Sequence, residues 1–296
     1  MKITNLKKIF ILLNASIIIL SVYFYFIIIE VISLRQLDNN KIKTSHGNLF
    51  CIILTTNSSL NTKARIIYET WAKKCDNYKF ITTLNGTDSS KIISGVEVTI
   101  NDMNILQPPN YIDDKYEKLT DKVYLTFKYL YDNDNYNRYD WYIKADDDTY
   151  IFVDNLRKFL SDKNPYKSVT YGFDIDLDVP GGYHSGGAGY VLSKRSFNLL
   201  GNALSKRYSF CPNSGTEDQD IGYCLRKLNV YPDKSTDNFG RERFHLFNIS
   251  THYYGYYEFL FKWAVKYSKN GMRKVKFYLR LSIQIFNKSK NIIKRD

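Results

Sequence analysis

The hydrophobic pattern first separates an apolar N-terminal run from a longer, mixed region of the 296-residue chain. Residues 9–29, IFILLNASIIILSVYFYFIII, contain no charged side chain, and a helix needs about 20 apolar residues to cross a bilayer core. Lys2, Lys7 and Lys8 precede this run and Glu30 follows it, which favours a cytosolic N-terminus. A cleaved signal peptide would have a shorter apolar core and a small-residue cleavage site. We therefore predict a cytosolic tail at 1–8, an uncleaved transmembrane anchor at 9–29 and a lumenal remainder.

After a polar stem at 30–48, the pattern alternates between strand-like and helix-like segments. Apolar runs at 49–56, 78–84 and 141–145 are typical of buried strands, and segments at 62–75, 154–162 and 196–204 have helical spacing. The strongest helix, at 118–133, places Leu119, Val123, Phe127 and Leu130 on one stripe. This alternation predicts an α/β domain with a mostly parallel sheet at 49–265, followed by a basic tail at 266–296.

The cysteines agree with a lumenal location, because the four of them can pair completely in an oxidising compartment. Four cysteines allow three pairings, of which we expect the local one, joining Cys51 to Cys75 and Cys211 to Cys224. A zinc site is the alternative, although the sequence has no Cys-x-x-Cys spacing. Weaker support for a lumenal domain comes from N-glycan sequons at Asn57, Asn85, Asn248 and Asn287.

The formal charge of +12 does not indicate a nucleic-acid partner. Residues 262–296 contain eleven Lys or Arg and one acid, a net +10, so the C-terminal tail carries nearly all of the excess. Such a basic, aromatic tail is typical either of a segment that lies on a membrane surface or of a solvated helix with one packed face. The rest of the domain is close to neutral, and we expect no binding of nucleic acid.

The first candidate for chemistry is the run of three acids in WYIKADDDTY, at the end of a predicted central strand. Ligands of parallel sheets bind beyond the carboxyl ends of the strands. If the segment stays extended, Asp146 and Asp148 point to one face and Asp147 to the other. Two carboxylates on one face make a hard oxygen site suited to Mg²⁺ or Mn²⁺, whereas the alternative is a turn that caps the next helix.

A second pair of acids, Glu217 and Asp218, lies in the first turn of a predicted helix. Acids stabilise a helix N-terminus and Thr216 can cap it, so a purely structural role is the alternative to a catalytic base. The third element is PGGYHSGGAGYVLS, whose five glycines fall within nine residues. It is neither a dinucleotide fingerprint, because position 192 is Leu, nor a Walker loop, because no GK[ST] follows.

Taken together, these motifs resemble the β1,3-galactosyltransferases of the core 1 O-glycan type, which are relatives of Fringe in glycosyltransferase family 31. The resemblance runs in order through TWAKKC, LTDKVYLTFKY, DWYIKADDDTYIFVDNLR, GYHSGGAGYVLS, TEDQDIGYCLRKLNV and FGRERFHLF. It implies a GT-A (Rossmann-like) fold behind a single type II Golgi anchor, and it leaves a homodimer open. It further implies Mn²⁺ as cofactor, UDP-galactose as donor, and inverting transfer to O3 of N-acetylgalactosamine linked to Ser or Thr of a glycoprotein.

Residue roles follow from the same resemblance. Asp218 matches the catalytic base, and Asp148 matches the principal metal ligand. The resemblance also implies metal contacts from Asp146 and His252, and contacts to the donor from Asp146, Asp147, Lys122, Arg65, Gly186 and Gly187. As an isolated residue, His252 is more often packed in a core than bound to a metal.

One departure from the family concerns the acceptor side. Only NIST separates FHLF at 244–247 from His252, where the family carries a longer aromatic segment with further cysteines. Two other functions therefore remain open. One is a different Fringe-like β1,3-glycosyltransferase, for example one that adds N-acetylglucosamine, and the other is a non-catalytic lumenal paralogue that chaperones a transferase.

Overall fold

The computed structural model describes residues 47–84, 93–246 and 266–269, together with Tyr25. The predicted cytosolic tail, nearly all of the predicted anchor and stem, His252 and most of the basic tail lie outside the described residues. No helix among the described residues is long and apolar enough to cross a membrane. The chain divides into a unit Met1–Gly47 and a unit Asn48–Asp296, and the elements below belong to the second.

The second unit is built on a mixed sheet of eight strands among the described residues, in the order β10-β6-β9-β5-β1-β2-β4-β3, with β7 and β8 as a separate pair. The strands are β1 Leu49–Leu54, β2 Asn77–Ile81, β3 Val96–Ile100, β4 Met103–Gln107, β5 Trp141–Asp146, β6 Val169–Gly172, β7 Asp174–Ile175, β8 Tyr183–His184, β9 Tyr190–Ser193 and β10 Tyr231–Pro232.

Only part of this sheet is parallel. β1 pairs in parallel with β2 and β5, and β2 pairs in parallel with β4. β9, however, runs antiparallel to both β5 and β6, and β3 runs antiparallel to β4. The α/β class is confirmed, but the sheet is less parallel than expected. The chain between β6 and β9 contains no crossover helix, and antiparallel neighbours need none.

Helices cover both faces of the sheet. Within the described part of the second unit, the named α-helices are α1 Arg65–Thr70, α2 Leu119–Asp132, α3 Val153–Leu160, α4 Lys194–Lys206 and α5 Glu217–Lys227. A π-helical turn, Leu60–Ala64, leads into α1, and short 3₁₀ helices lie at Asn57–Ser59, Ala72–Lys74, Tyr116–Lys118 and Tyr208–Phe210. In α2, Val123, Phe127 and Leu130 are buried as predicted, and Leu119 is partly buried.

β1 shows how the sequence produces two cores. All six of its residues are buried, as expected for a strand covered on both faces. Its odd-numbered residues Leu49, Cys51 and Ile53 pack in the cluster that includes residues of α1 and α3. Its even-numbered residues pack in the cluster that includes residues of α2, α4 and α5. The domain is therefore an α/β/α sandwich, consistent with a GT-A fold.

Both expected disulfides are present. Cys51–Cys75 joins β1 to the segment before β2, and Cys211–Cys224 joins the loop before α5 to the helix itself. No cysteine is free. The local pairing is confirmed, and the zinc alternative is excluded for these four residues.

Candidate active site

The acid triplet lies at the end of β5, but its geometry is that of a turn. β5 ends at Asp146, and the Thr149 amide donates a hydrogen bond to the Asp146 carbonyl at 3.1 Å. The side chains of Asp147 and Asp148 both approach the Lys63 ammonium, at 3.7 and 3.6 Å, whereas Asp146 pairs with Lys144. The expectation that Asp146 and Asp148 share a face is therefore wrong, because the alternation of the strand stops at Asp146.

Lys144 is the central cation of the site. It is wholly buried, and its Nζ lies 2.8 Å from Asp146 Oδ1 and 3.3 Å from Glu217 Oε2. It also donates to the Gly186 carbonyl at 3.4 Å. Burial lowers the pKa of Lys144, but the Asp146 and Glu217 carboxylates outweigh that effect and hold the pKa above its usual value. Lys144 is therefore charged, and it connects the end of β5 to the start of α5.

Glu217 and Asp218 have different environments although they are adjacent. Glu217 is buried and accepts a hydrogen bond from the Tyr190 hydroxyl at 2.6 Å. Asp218 Oδ2 accepts from the Gly186 amide at 3.3 Å, and Asp218 Oδ1 accepts from the Gln219 amide at 2.9 Å. Thr216 occupies the N-cap position of α5 but makes no side-chain capping bond. Burial raises the pKa of Asp218, which makes it a stronger base than an exposed aspartate.

The glycine-rich segment passes directly over this network. A Cβ placed on Gly186, which is buried, would lie 2.8 Å from Glu217 Oε2 and 3.2 Å from Lys144 Nζ. Gly187 is exposed, and a Cβ there would come no closer than 4.0 Å to the Leu246 carbonyl. The Gly187 carbonyl accepts from the Thr149 hydroxyl at 3.0 Å, which ties the segment to the turn of the triplet. A side chain at 186 would therefore displace the Glu217 carboxylate or the Lys144 ammonium.

A second buried lysine supports the triplet from the β1 side. Lys122 Nζ lies 2.7 Å from Asp114 Oδ1 and donates to the Thr55 carbonyl. The Thr55 hydroxyl in turn donates to Asp147 Oδ2 at 2.8 Å. Burial is the main cause that lowers the pKa of Lys122, against the opposing effect of Asp114. The structure therefore brings Lys122 to the triplet through one intermediate residue.

Arg65 is placed differently. Its guanidinium pairs with Glu69 of the same helix at 2.7 Å. It also donates to the carbonyl of Asn101, in the β3–β4 turn, at 2.8 Å. The cation that reaches the triplet from this part of the chain is Lys63, in the π-helical turn before α1. The role predicted for Arg65 stays a prediction, as does that of His252, which lies outside the described residues.

The carboxylate oxygens of the triplet are suitable ligands for a divalent cation. Asp147 and Asp148 already share one cationic group, and carboxylate oxygens are the ligands of Mg²⁺ and Mn²⁺. Among the described residues, no three His, Cys, Asp or Glu side chains are arranged to hold a metal ion. The arrangement fits an ion of the kind held by one or two carboxylates and completed by substrate phosphates and water.

Comparison with known proteins agrees with this geometry. The Fringe-like family profile matches residues 44–276, which include every described element. The chain belongs to the Fringe-like family. Over 205 residues it is 31% identical to glycoprotein-N-acetylgalactosamine 3-beta-galactosyltransferase 1 of Xenopus laevis, covering 69% of this chain and 52% of that protein. Over 131 residues it is 28% identical to chondroitin sulfate synthase 3 of human and of mouse, covering 40% of this chain and 14% of those proteins. The chain thus spans about half the length, or less, of these relatives.

Sequence reasoning missed three residues of this candidate site, and one of them carried a usable signal. Lys144 lies inside the strand that leads to the triplet, where an uncompensated charge would be costly. Glu217 was considered together with Asp218 as a helix-start acid or a base, and the structure shows that it is buried and paired with Lys144. Lys63 reaches the site from the π-helical turn and Asp114 from a loop, and only the fold reveals their contacts.

Proposed function

We propose that this Fringe-like chain transfers galactose from UDP-galactose to O3 of N-acetylgalactosamine linked to Ser or Thr of glycoproteins, with inversion and with Mn²⁺ as cofactor. The 31% identity to a galactosyltransferase of this kind supports the donor and the acceptor. The single observation that carries the proposal is the Lys144 connection. Its ammonium contacts Asp146 and the Gly186 carbonyl, and the Gly186 amide contacts Asp218. One buried side chain thus joins the acid triplet to the candidate base.

The metal would be held by Asp148 together with Asp147, the pair that shares the Lys63 ammonium. A bound divalent ion offsets the charge that develops on the UDP leaving group. Asp146, which the family resemblance implies as a metal ligand, is paired with Lys144, and we therefore propose Asp147 in its place. His252 remains a proposed further ligand from the family resemblance.

Asp218 supplies the general base of the reaction. Its carboxylate takes the proton of the acceptor O3 hydroxyl as that oxygen attacks C1 of the donor sugar. The C1–O bond to the β-phosphate breaks in the same displacement, and the electron pair leaves with UDP. Attack from the face opposite to the leaving group inverts C1. Hydrogen bonds from the Gly186 and Gln219 amides orient the carboxylate.

We also place the protein in the Golgi membrane as a single-pass type II protein. The uncharged run at 9–29, flanked by Lys7, Lys8 and Glu30, supports this placement. The two disulfides support a lumenal catalytic domain, since disulfides persist in oxidising compartments.

The test is a donor and acceptor screen with the full chain in detergent and Mn²⁺ present. UDP-galactose, UDP-N-acetylglucosamine and UDP-N-acetylgalactosamine are each offered with a peptide carrying Thr-linked N-acetylgalactosamine. We expect galactose transfer, with a β1,3 linkage by NMR. Reaction with another donor and not with UDP-galactose would refute the proposed donor and favour a different Fringe-like transferase. No reaction with any donor, in a protein that still binds glycosyltransferases, would favour the chaperone function.

A further inference from the structure

A cleft separate from the acid triplet lies between the N-terminal regions of α2 and α5. It is lined by residues 116–118, by Asp121 and by residues 213–216, and its volume is about 370 Å³. This volume falls within the roughly 300–1,000 Å³ of small-molecule sites. The position is informative because Thr216 is the N-cap residue of α5, whose first turn carries Asp218, and Asp121 lies in the first turn of α2. The cleft therefore borders the elements that carry the proposed base and the nucleotide-side lysine.

The two walls of the cleft are held by one buried carboxylate. Asp220 accepts from the Thr120 hydroxyl of one wall at 2.8 Å. It also accepts from the Ser214 amide and hydroxyl of the other wall at 2.8 Å each, and from the Gly215 amide at 3.2 Å. Asp220 is almost wholly inaccessible to solvent. The shape of the cleft thus exists before any ligand arrives.

Three further contacts fix the same walls. Asp121 Oδ1 accepts from the Asn213 side-chain amide at 2.6 Å and from the Tyr208 hydroxyl at 3.0 Å. The Cys211–Cys224 disulfide joins the segment just before the 213–216 wall to α5. A preformed site binds its ligand without the cost of ordering its own loops.

The charge of the cleft argues against a second nucleotide. Glu117 and Asp121 are acidic and Lys118 is basic, so the lining carries one net negative charge. A nucleoside diphosphate is an anion, and the cations that suit it, Lys63 and Lys122, lie at the triplet. The ligand of the cleft is therefore neutral or cationic.

The side chains of the cleft match a neutral sugar. Tyr116 is 77% exposed, so its ring offers an apolar face at the edge of an otherwise polar cleft. The remaining polar side chains are two carboxylates, the Lys118 ammonium, an amide and the hydroxyls of Ser214 and Thr216. An aromatic ring binds the C–H face of a sugar, while carboxylate, amide and hydroxyl groups exchange hydrogen bonds with its hydroxyls.

We infer that this cleft is the acceptor subsite, which holds the sugar and the adjoining peptide so that the acceptor hydroxyl reaches Asp218. The inference rests on the proposed function for the identity of the reaction, but the site itself is argued from the cleft. It assigns Tyr116 as the residue that determines acceptor affinity and takes no part in donor binding.

The test compares Tyr116→Ala with Tyr166→Ala, a matched control whose tyrosine is 68% exposed and outside the cleft. Loss of one aromatic contact of about 1.4 kcal/mol corresponds to about tenfold, so KM for a Thr-linked N-acetylgalactosamine peptide should rise about tenfold in Tyr116→Ala. We expect kcat and the calorimetric affinity for UDP with Mn²⁺ to stay unchanged. Tyr116→Phe, which keeps the ring, should restore KM, and Tyr166→Ala should behave as wild type.

A binding measurement separates this inference from the proposed function. Saturation-transfer NMR with the same glycopeptide is recorded on the full chain and on Tyr116→Ala. Binding that depends on Tyr116 in a protein without galactose transfer would refute the proposed reaction and support the cleft. Galactose transfer with the same KM and the same NMR contacts in wild type and Tyr116→Ala would overturn the cleft and leave the reaction standing.

Discussion

The Lys144 ammonium lies 3.3 Å from the Glu217 carboxylate, and both groups are buried. This contact joins the central strand of the sheet to the helix that carries the proposed base. Breaking a buried ion pair by removing one partner leaves the other charge without compensation, at a cost of about 3–5 kcal/mol. The catalytic site and the stability of the core therefore depend on the same side chain.

We expect Lys144→Met to lower the free energy of unfolding by about 3–5 kcal/mol, because Asp146 and Glu217 lose their shared cation. Lys79→Met is the matched control, since Lys79 is also buried and also pairs with a glutamate, Glu97, at 2.7 Å. Glu97 keeps hydrogen bonds from the Tyr129 and Tyr136 hydroxyls, so the control should lose less. Denaturant unfolding measures the free energy of unfolding of both variants and of the wild type.

A double variant tests the physical reason. Lys144→Met combined with Glu217→Gln removes one of the uncompensated charges, so it should recover part of the lost stability. Equal stability of the single and the double variant would contradict the ion-pair explanation.

Gly186→Ala should abolish most transfer, because its Cβ would lie 2.8 Å from Glu217 Oε2 and displace the Lys144 network. Gly187→Ala is the control one residue away, where a Cβ meets nothing closer than 4.0 Å. We expect the control to keep the wild-type melting temperature, while Gly186→Ala lowers it. Transfer assays and thermal unfolding compare the two variants. Equal transfer rates and equal melting temperatures would refute the packing argument.

Asp148→Asn should weaken the binding of Mn²⁺ together with UDP. Loss of a supporting residue alone reduces metal affinity by about 10–100-fold, and we expect at least that for a direct ligand. Asp154→Asn is the control, because Asp154 is exposed and pairs with Lys74 away from the triplet. Isothermal titration calorimetry measures the affinity of both variants for UDP with Mn²⁺. An unchanged affinity in Asp148→Asn would show that Asp148 does not bind the metal.

Asp218→Asn should reduce kcat by roughly 10²–10⁴-fold, the usual contribution of a general base. The variant should still fold and bind UDP, because the asparagine oxygen can still accept from the Gly186 amide. Calorimetry with UDP serves as the folding control within the same sample. Retained turnover would show that another group takes the acceptor proton.

The pH profile should show the environment of the same carboxylate. Burial raises the pKa of Asp218, and only the deprotonated form can accept a proton. The rate should therefore fall as the pH falls through this raised pKa, and the acidic limb should lie above the usual range for an aspartate, about 3.9. A plot of kcat/KM against pH measures this limb. An acidic limb at or below the usual value would contradict a buried base.

The sequence predicted the main helices and strands well because their burial patterns are strong. β1 reads as a continuous apolar run, and α2 shows a clear stripe, so both appear where expected. The sequence analysis did not predict the β3–β4 hairpin. In the structure, Asn101 and Asp102 form its two-residue turn and adopt the positive φ angles typical of such turns. β3 is mostly exposed and β4 is mostly buried, so neither strand alternates clearly between apolar and polar residues.

The detailed geometry of the site could not be read from the sequence. The strand period predicts the faces of Asp146 and Asp148 only while the strand continues, and the turn at 147–148 ends it. Likewise, the π-helical turn before α1 changes which side chains face the triplet, so Lys63 reaches it while Arg65 contacts Glu69. Such local changes of helical or strand period depend on tertiary packing.

Lys144 and Asp146 stand two residues apart on β5 and lie on the same side of the sheet. Inserting or deleting one residue within this strand would turn both side chains into the opposite layer, among the apolar residues beside α1 and α3. Attempts to engineer new sugar specificity into this scaffold should therefore leave β5 untouched and vary the surface residues 116–118, which lie outside the Lys144 network.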